Sequence, residues 1–441
     1  MSISDEVYYK LLDVPIMDPH THIDASHMSA RGLHDILLYH MVISDLFSAG
    51  CPNGERLSEN PTRDEIVFRI EQAIPYIAYI KNTSCFWGVR IILKDLYGWD
   101  EPITEKNWIQ IDGIIRKKYE DREWAWEVLK KAGIYIACTD LWRDREGRLA
   151  NTFKYSLEWA FFARCQPGEY DTALVELENA WGQDVPGEPL PFRYNKDDVN
   201  SGRTIKTLDD IKEALHYYCN KIPYEKIVCT AMHLSTDIDY IIASDDEMKA
   251  ALSKRNDAGV KERDIYASYI LEHFLFELEE RKDNIIIQFS LGAEPLPYET
   301  GSKLRSDSVF QLAHILQNHT SLSFQVFLSC EHKNQSLCTL AREINNLSLA
   351  GYWWHNFFPS TIRKVMNERL DMLPFNKQIG FLSDAYCVDW AYAKSIIVRK
   401  QLAEVLSGKI EQGQYDLQEA EDIARQIFYE SPRKILLSKD D

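Results

Sequence analysis

The sequence predicts an α/β protein, a (β/α)8 barrel with a helical insertion after its first strand. Two observations predict this fold. Eight short apolar runs, rich in β-branched residues, recur along the 441 residues, and stretches of helical periodicity lie between many of them. Near-continuous apolar runs are typical of strands that are buried on both faces of a parallel sheet. Eight strand–helix units favour closure of that sheet into a barrel.

The predicted strands and helices are distributed over most of the chain. The strands are Pro15–His22, Gly133–Asp140, Leu190–Tyr194, Ile227–Leu234, Asn284–Leu291, Ser323–Cys330, Leu347–Trp354 and Ile379–Asp384. Prolines flank the start of the third run, which makes it the least typical strand of the eight. Helical periodicity predicts helices at Trp124–Lys131, Thr207–Asn220, Asp264–Arg281, Ser308–Asn318 and Ser336–Asn345.

The segment between the first two predicted strands is too long for one strand–helix unit, and we interpret residues 25–130 as a helical insertion. Its amphipathic stretches are Gly32–Ser48, Arg63–Lys81 and Glu105–Lys118. Ala393–Ser431 is also helical in pattern, with a loop near Gly413. Since no low-complexity linker interrupts the chain, residues 1–441 are expected to form a single barrel domain.

The composition is that of a globular protein with an acidic surface. Hydrophobic residues make up 45% and charged residues 27% of the chain, a balance that allows a large core to be buried. The net charge is −18, from 68 acidic and 50 basic residues. Because this charge repels polyanions, nucleic acid is not expected as a partner. An anionic small molecule would need cations placed locally in its binding site.

Several observations predict a cytoplasmic protein. Residues 1–10 carry charges and no apolar segment of the kind that signal peptides have, and no apolar run approaches the ~20 residues that span a membrane. The nine cysteines include no CxxC pair, which suits a reducing compartment. We expect Cys138, Cys229 and Cys330 to be small core residues. The apolar inserted helices could supply an interface for a homo-oligomer.

The motif Asp18-Pro19-His20-Thr21-His22 ends the first predicted strand. Because side chains alternate along a strand, His20 and His22 point to the same face. At the carboxyl end of a barrel strand that face is the interior, where active sites lie. Two imidazoles on one face suit a divalent metal, with Zn²⁺ as the first choice and Mn²⁺ or Fe²⁺ as alternatives. A pair of polar loop histidines is the other interpretation.

A carboxylate is expected to complete this metal site. Asp384 ends the eighth predicted strand, which lies beside the first strand in a closed barrel. It can therefore reach the same metal ion as the two histidines. The alternative for Asp384 is an N-cap of the helix that starts near Cys387.

An Asp-x-His-x-His motif on strand one with an aspartate on strand eight resembles the amidohydrolase superfamily, and within it the chain is similar to the uronate (glucuronate) isomerase family. The similar stretches lie in order along nearly the whole chain: Ile16–Asp24, Tyr39–Gly50, Ala137–Asp140, Gly351–Trp354, Pro359–Leu373, Gly380–Tyr386 and Ser395–Leu406. The resemblance implies a TIM barrel of the amidohydrolase type. It also implies one divalent metal bound by His20, His22 and Asp384.

The resemblance further implies an activity. Uronate isomerases interconvert an aldose uronate and its ketose, glucuronate with fructuronate or galacturonate with tagaturonate, by proton transfer through an enediol. Asp384, beside the metal, is the candidate base. His40, which matches a histidine of the family, is a second catalytic candidate, and packing of the first inserted helix is its alternative role.

Five residues are candidates for binding the sugar acid: Arg193, Arg90, Trp353, Tyr386 and His233. Arg193 falls where the family has a substrate-binding arginine, and a guanidinium pairs with a carboxylate through two hydrogen bonds. Arg90 lies in the helical insertion, and His233 ends the fourth predicted strand. Trp353 could stack on a sugar ring. The alternatives are a surface arginine for Arg193, a hydrogen-bonded structural histidine for His233 and a core aromatic residue for Trp353.

Three positions depart from the family pattern. Tyr386 stands where members usually have arginine, Met41 where they commonly have tyrosine, and Gln288 where some have histidine. These changes favour a second function on the same scaffold, a metal-dependent hydrolase or decarboxylase with Asp384 as its proton shuttle. A non-catalytic protein that binds sugar acids is a third hypothesis, and the retained metal ligands argue against it.

Overall fold

The structure is a computed structural model that describes most of the chain. The described residues are 2–144, 146–149, 151–158, 174, 177, 178, 180, 181, 203–234, 238–292 and 308–437. Among them, no helix combines the length and the apolar character that a membrane crossing requires.

A parallel sheet of eight strands forms the centre of the fold. Its strands are β1 (Ile16–Asp18), β2 (Ile134–Asp140), β3 (Phe153–Glu158), β4 (Ile227–His233), β5 (Ile286–Leu291), β6 (Ser323–Leu328), β7 (Leu347–Ala350) and β8 (Gln378–Ile379). The order in the sheet is the order in the chain, and every neighbouring pair is parallel. This arrangement is that of a (β/α)8 barrel, so the predicted fold class is confirmed.

Backbone hydrogen bonds close a seam between the segments that follow β1 and β8. The N–H of Asp384 donates to the carbonyl oxygen of His20 at 3.0 Å, and the N–H of His22 donates to that of Ala385 at 2.8 Å. The seam therefore joins the two segments that carry the predicted metal ligands, although they come from opposite ends of the chain.

Asp18 reinforces this seam with its side chain. Its Oδ1 accepts hydrogen bonds from the backbone N–H of Ser383 at 3.0 Å and of His20 at 3.4 Å. Asp18 is completely buried, and this burial raises the pKa of its carboxyl group to about 7, although the bonds from Ser383 oppose the shift. The aspartate of the motif is thus a structural link between the first and last strands.

The third strand differs from the prediction. The sequence predicts it at Leu190–Tyr194, which is wrong, because β3 is Phe153–Glu158 and pairs with β2 on one side and β4 on the other. Leu190–Tyr194 lies outside the described residues. In β3 apolar and polar residues alternate, and Phe153 and Leu157 are buried. A search for continuous apolar runs does not detect a strand with this alternation.

The helices confirm an insertion after β1. α1 (Ile3–Leu12) precedes β1, and six helices separate β1 from β2: α2 (Leu33–Leu37), α3 (His40–Ser48), α4 (Arg63–Ala73), α5 (Ser84–Tyr97), α6 (Trp108–Tyr119) and α7 (Trp124–Ala132). The later helices are α8 (Leu208–Lys221), α9 (Asp245–Ser253), α10 (Val260–Arg281), α11 (Ser308–Asn318), α12 (Asn334–Glu343), α13 (Pro359–Met372), α14 (Val388–Glu411), α15 (Leu417–Arg425) and α16 (Ser431–Leu437).

A break divides the predicted helix Gly32–Ser48 into α2 and α3. Tyr39 has extended backbone angles (φ −63°, ψ 142°) and precedes the first residue of α3, His40. The side chain of Tyr39 makes no capping hydrogen bond to α3, so its hydroxyl can bind elsewhere. Both residues line the cavity at the carboxyl end of the barrel.

The hydrophobic core has two main clusters. One joins the inserted helices with α1 and α14, and the other packs α8, α10, α11 and α12 against strands β4 to β7. As predicted, Cys138, Cys229 and Cys330 are buried and form no disulfide.

The long helix α14 connects the inserted helices to the starts of the first two strands. It packs against α1, α5, α7 and α13. Arg399 of α14 is buried, and its Nη2 donates to the carbonyl oxygens of Val14 at 2.9 Å and Ala132 at 3.1 Å. Since Ala132 ends α7, whose last carbonyls lack partners within the helix, Arg399 satisfies groups that burial would otherwise leave unpaired.

Two glycine-to-alanine substitutions test the fold, because they are expected to change the free energy of unfolding in opposite directions. Gly351 follows β7 with a positive φ of 32°, and a Cβ there would collide with the Cβ of Leu382 and lie 2.9 Å from its backbone nitrogen. We expect Gly351→Ala to lower the free energy of unfolding by about 2 kcal/mol or more, from backbone strain and overpacking.

Gly113 is the matched control for this prediction. It is exposed within α6, and a Cβ there meets nothing within 4 Å. Gly113→Ala is expected to raise the free energy of unfolding by about 0.5–1 kcal/mol. Urea denaturation measures both changes, and equal stabilities for the two variants would contradict the described backbone at residue 351.

Candidate active site

The three predicted metal ligands meet at the carboxyl end of β1 and β8. Oδ1 of Asp384 lies 3.7 Å from Nε2 of His20 and 3.2 Å from Nε2 of His22. The ligand atoms of all three residues lie within 4.8 Å of one another. Two imidazoles and a carboxylate at this spacing are a donor set that suits a single divalent ion. The alternative N-cap role of Asp384 is wrong, because α14 begins at Val388 and its N-cap is Cys387.

The backbone of Asp384 is held in a strained conformation. Its φ of 50° is unusual for a residue other than glycine and costs about 1–2 kcal/mol. The seam bond to His20 fixes the N–H of Asp384, and its carbonyl oxygen accepts a hydrogen bond from the hydroxyl of Tyr39 at 3.0 Å. Such strain persists only where surrounding contacts determine the conformation, and here it directs the carboxylate toward the two histidines.

A buried lysine supports this conformation. Nζ of Lys394, on α14, donates to the hydroxyl oxygen of Tyr39 at 3.0 Å and to the carbonyl oxygen of Ser383. Burial lowers the pKa of Lys394, while the negative charge of Asp384 opposes the shift. Lys394 and Tyr39 thus form a chain of donors that ends on the backbone of Asp384.

A second carboxylate orients His22. Nδ1 of His22 lies 3.1 Å from Oδ2 of Asp140, the last residue of β2. Asp140 is in turn held by Nε of Arg143 at 3.0 Å and by the hydroxyl of Ser156 at 3.2 Å. Metal-binding histidines commonly donate their second nitrogen to a carboxylate, which fixes the ring and its tautomer. The surroundings of His22 therefore fit a metal ligand.

The protonation states of His20 and Asp384 fit metal binding. Burial, together with the neighbouring His22, lowers the pKa of His20 to about 4, so its imidazole is neutral at physiological pH. Burial alone would raise the pKa of Asp384, but the hydrogen bond and charge of His22, with Lys394, hold it below its usual range. Neutral imidazole and ionised carboxylate are the forms that bind a metal. Burial alone would lower the pKa of His22, but Tyr386, Asp140 and Asp384 raise it well above its usual value, so a metal must displace a proton from this ring.

Gln288 of β5 offers a further oxygen near the triad. Its Nε2 donates to the carbonyl oxygen of Pro19 at 3.1 Å and to Oε1 of Gln325 at 3.0 Å. Its own Oε1 is buried without a hydrogen-bond partner among the described residues. A buried amide oxygen is costly to leave unpaired, and a metal ion at the triad could satisfy it.

The triad lies in a cavity of about 470 Å³. Its wall includes the segments that follow β1 and β8, the break between α2 and α3, part of the loop of residues 49–62, and the ends of β4 and β5. The size falls in the range of small-molecule sites. Acidic and basic side chains line the cavity, together with the indole rings of Trp353 and Trp354.

Four further predicted site residues line this cavity: His40, His233, Trp353 and Tyr386. The ring of His40 lies between those of Tyr39 and Trp354, with centroid distances of 4.0 and 4.9 Å. Burial, and then the positive charge of Arg56, lowers the pKa of His40 well below its usual value, so it is neutral. Nδ1 of His233 lies 3.1 Å from the hydroxyl of Ser290.

One of the two predicted arginines does not reach the cavity. Arg90 is exposed on α5 and does not line it. The face of α5 that carries Val89 and Ile92 is buried instead, which turns Arg90 outward. Arg193 lies outside the described residues, so its role stays a prediction.

Sequence analysis missed several residues of the site. Asp140 ends a predicted barrel strand, which is a position typical of functional residues, and could have been identified from that signal. Arg143 follows it by one helical turn. Lys394 carries a charge within a largely apolar stretch of α14, a weak signal. Arg56 lies in a loop without regular structure, and nothing in its local sequence indicates its position in the cavity.

Comparison with known proteins shows similarity of fold. No family model matches the sequence, and no curated protein does. A uronate isomerase from Thermotoga maritima has a TM-score of 0.78 at 15% identity, with 98% of this chain and 97% of that chain covered. A glucuronate isomerase from Caulobacter crescentus has a TM-score of 0.78 at 16% identity, with 99% and 94% covered.

A third solved structure, assigned to the metal-dependent hydrolases, comes from Lactobacillus casei. Its TM-score is 0.58 at 12% identity, and 100% of this chain and 98% of that chain are covered. Together these similarities extend over the whole length of the chain and agree with the predicted barrel of the amidohydrolase type. At such low identities they establish the fold and not the reaction.

Metal content tests the triad directly. We expect the purified protein to bind about one equivalent of a divalent metal, and His22→Ala to reduce metal occupancy at least ~10-fold, because it removes a nitrogen ligand. Elemental analysis after dialysis measures the metal. His332→Ala is the control, since His332 does not line the cavity. Full occupancy in His22→Ala would show that the metal binds elsewhere.

The chain from Lys394 to Asp384 gives a second prediction. Lys394→Met removes the donor to Tyr39 and Ser383, and we expect metal affinity to fall about 10–100-fold, as for other groups that orient metal ligands. Tyr39→Phe is expected to give a smaller loss in the same direction. Competition with a chromogenic chelator measures the affinity, with Lys400→Met, exposed on the same helix, as control. Unchanged affinity in both variants contradicts the positioning role.

Proposed function

We propose that the protein is a metal-dependent aldose–ketose isomerase that acts on hexuronates or a related sugar acid. In the proposed reactions, glucuronate is converted to fructuronate, or galacturonate to tagaturonate. The observation that carries the proposal is the His20–His22–Asp384 triad in a cavity of small-molecule size, on a fold shared with uronate isomerases over the full chain.

The donor set supports one divalent metal, for which we propose Zn²⁺, with Mn²⁺ or Fe²⁺ as alternatives. Two imidazole nitrogens and one carboxylate oxygen match zinc without excluding the other two ions. A bound divalent metal supplies a Lewis acid that polarises a carbonyl or hydroxyl oxygen of the sugar.

The proposed reaction moves protons within the sugar and consumes no water. One proton leaves C2 and one is delivered to C1, while the hydroxyl proton of C2 is lost and the oxygen of C1 gains one. The residues must therefore both accept and return a proton. His40 suits this task because its neutral ring faces the cavity beside Tyr386 and Trp354.

Asp384 contributes charge and position to the proposed reaction. Its Oδ1 faces the two histidines, and Oδ2 accepts no hydrogen bond from a described residue. A carboxylate with a lowered pKa is a good ligand, and it accepts a proton from carbon only when a nearby positive charge stabilises the enediol. We therefore propose Asp384 as metal ligand and base, with His40 as the group that carries a proton between the oxygens.

Substrate binding is proposed at the rim of the cavity. Trp353 presents an indole face next to His233, at 5.3 Å between ring centroids, and stacking on a sugar ring uses such a face. Tyr386 stacks on the metal-ligand candidate His22, with 4.9 Å between the ring centroids. Arg193 remains a proposed contact for the carboxylate.

Product analysis tests this function. Metal-loaded protein is incubated with D-glucuronate and with D-galacturonate, and ¹³C NMR follows the loss of the C1 hemiacetal signal and the appearance of a ketose C2 signal. We expect conversion to the ketose with all six carbons retained. Asp384→Asn is expected to lower kcat by about 10²–10⁴-fold, the usual contribution of a general acid or base.

The same experiment distinguishes the alternative. A metal-dependent hydrolase or decarboxylase, for which the Lactobacillus casei structure is the precedent in fold, would leave hexuronates unchanged or release their carboxyl carbon as CO₂. Absence of ketose from both hexuronates, with the metal bound, would contradict the proposed isomerase.

A further inference from the structure

We propose that Arg56, together with Tyr386, forms the subsite that binds the carboxylate of the sugar acid. This inference deepens the proposed function and rests on it for the nature of the ligand. It assigns a binding role to the loop of residues 49–62, which connects α3 with α4.

An inventory of the charges supports Arg56 over the other cations of the cavity. The described arginines that line it are Arg31, Arg56 and Arg143. Arg31 is bound to Asp35 through two nitrogens, at 2.8 and 2.9 Å, and Arg143 is bound to Asp140 at 3.0 Å.

Arg56 has no such partner. Among the described residues it forms no ion pair with a carboxylate, and its hydrogen bond runs from Nη1 to the hydroxyl oxygen of Tyr386 at 3.1 Å. A guanidinium has five N–H donors in a planar fork, so donors remain for a ligand. The side chain is also exposed at the cavity mouth, where a ligand can reach it.

Aromatic rings hold the guanidinium in place. Its carbon lies 5.6 Å from the ring centroid of Trp354 and 5.8 Å from that of Tyr386. Cation–π contacts of this kind fix the plane of an arginine without consuming its N–H donors. The group is thus oriented before any ligand binds, which reduces the entropy cost of binding.

The position of Arg56 relative to the metal ligands suits a sugar acid that binds with its carboxylate at one end and its carbonyl carbon at the other. The ring of Tyr386 stacks on His22 with its plane tilted by 29°, and Arg56 bonds to the hydroxyl at the far end of that ring. The ring of Tyr386 therefore contacts both the candidate metal ligand His22 and the Arg56 guanidinium. A sugar acid could place its carboxylate on Arg56 while its other end reaches the triad.

The acidic character of the chain and of the cavity wall favours a subsite with an unpaired cation. The chain carries −18, and Asp24, Asp35, Glu59 and Asp384 line the same cavity. A carboxylate that enters this cavity needs an unpaired cation, because paired arginines have already lost most of their attraction for a second anion.

The binding of two matched ligands that the protein cannot convert tests the proposal. L-gulonate is glucuronate with its aldehyde reduced, and sorbitol differs from L-gulonate only in having a hydroxymethyl group in place of the carboxylate. Neither can undergo the proposed isomerisation. Calorimetric titration of the metal-loaded protein gives the ratio of the two affinities, which isolates the contribution of the carboxylate.

We expect the protein to prefer L-gulonate and Arg56→Met to reduce that preference about 10–100-fold, the effect of a lost hydrogen bond to a charged group. The double variant Arg56→Met, Tyr386→Arg is expected to restore part of it, because residue 386 lies within bonding distance of the Arg56 guanidinium. Arg122→Met, which removes an exposed charge outside the cavity, is the control and should change nothing.

The outcomes separate this inference from the proposed function. The carboxylate subsite would be overturned if the ratio of the L-gulonate and sorbitol affinities is unchanged in Arg56→Met, even if the protein isomerises hexuronates. An equal loss of affinity for both ligands counts as such a result. A ratio that depends on Arg56, in a protein that leaves hexuronates unconverted, would support the subsite and refute the isomerase.

Discussion

The site depends on the closure of the barrel between its first and last strands. His20 and His22 follow β1, and Asp384 follows β8, so these residues are neighbours only because the sheet closes. The backbone groups of His20, His22 and Asp384 themselves form the seam hydrogen bonds. The side chain of Asp18 adds a further link, because its Oδ1 accepts a hydrogen bond from the N–H of Ser383. The same hydrogen bonds that complete the fold therefore assemble the metal ligands.

Several features that are energetically unfavourable on their own lie together at this closure, and contacts among them offset their cost. The left-handed backbone of Asp384, the buried carboxyl group of Asp18 and the buried ammonium of Lys394 would each destabilise the fold alone. Together they form a connected set, since Lys394 reaches the backbone of Asp384 through Tyr39. Strain and buried charge at this point are typical of a functional site.

The sequence could predict the fold and the meeting of His20, His22 and Asp384, because the strand patterns and their order along the chain determine both. A strand period and a two-residue spacing determine the direction of His20 and His22, and barrel order places Asp384 beside them. Other features depend on tertiary packing. The neighbours of α5 determine which of its faces is buried, and they leave Arg90 pointing outward. The loop that carries Arg56 has no regular pattern of apolar residues from which its position could be predicted. The strand Phe153–Glu158 alternates apolar and polar residues, so a search for continuous apolar runs does not detect it.

X-ray absorption at the edge of the bound metal shows directly which kinds of residue bind it. We expect a first shell of nitrogen and oxygen ligands at about 2.0–2.2 Å, with the outer-shell scattering of two imidazole rings in the unchanged protein and of one ring in His20→Ala. A shell that contains sulfur, or one without imidazole scattering, would place the metal elsewhere. In that case barrel closure would not assemble a metal site, and the chemistry proposed for the cavity would lose its basis.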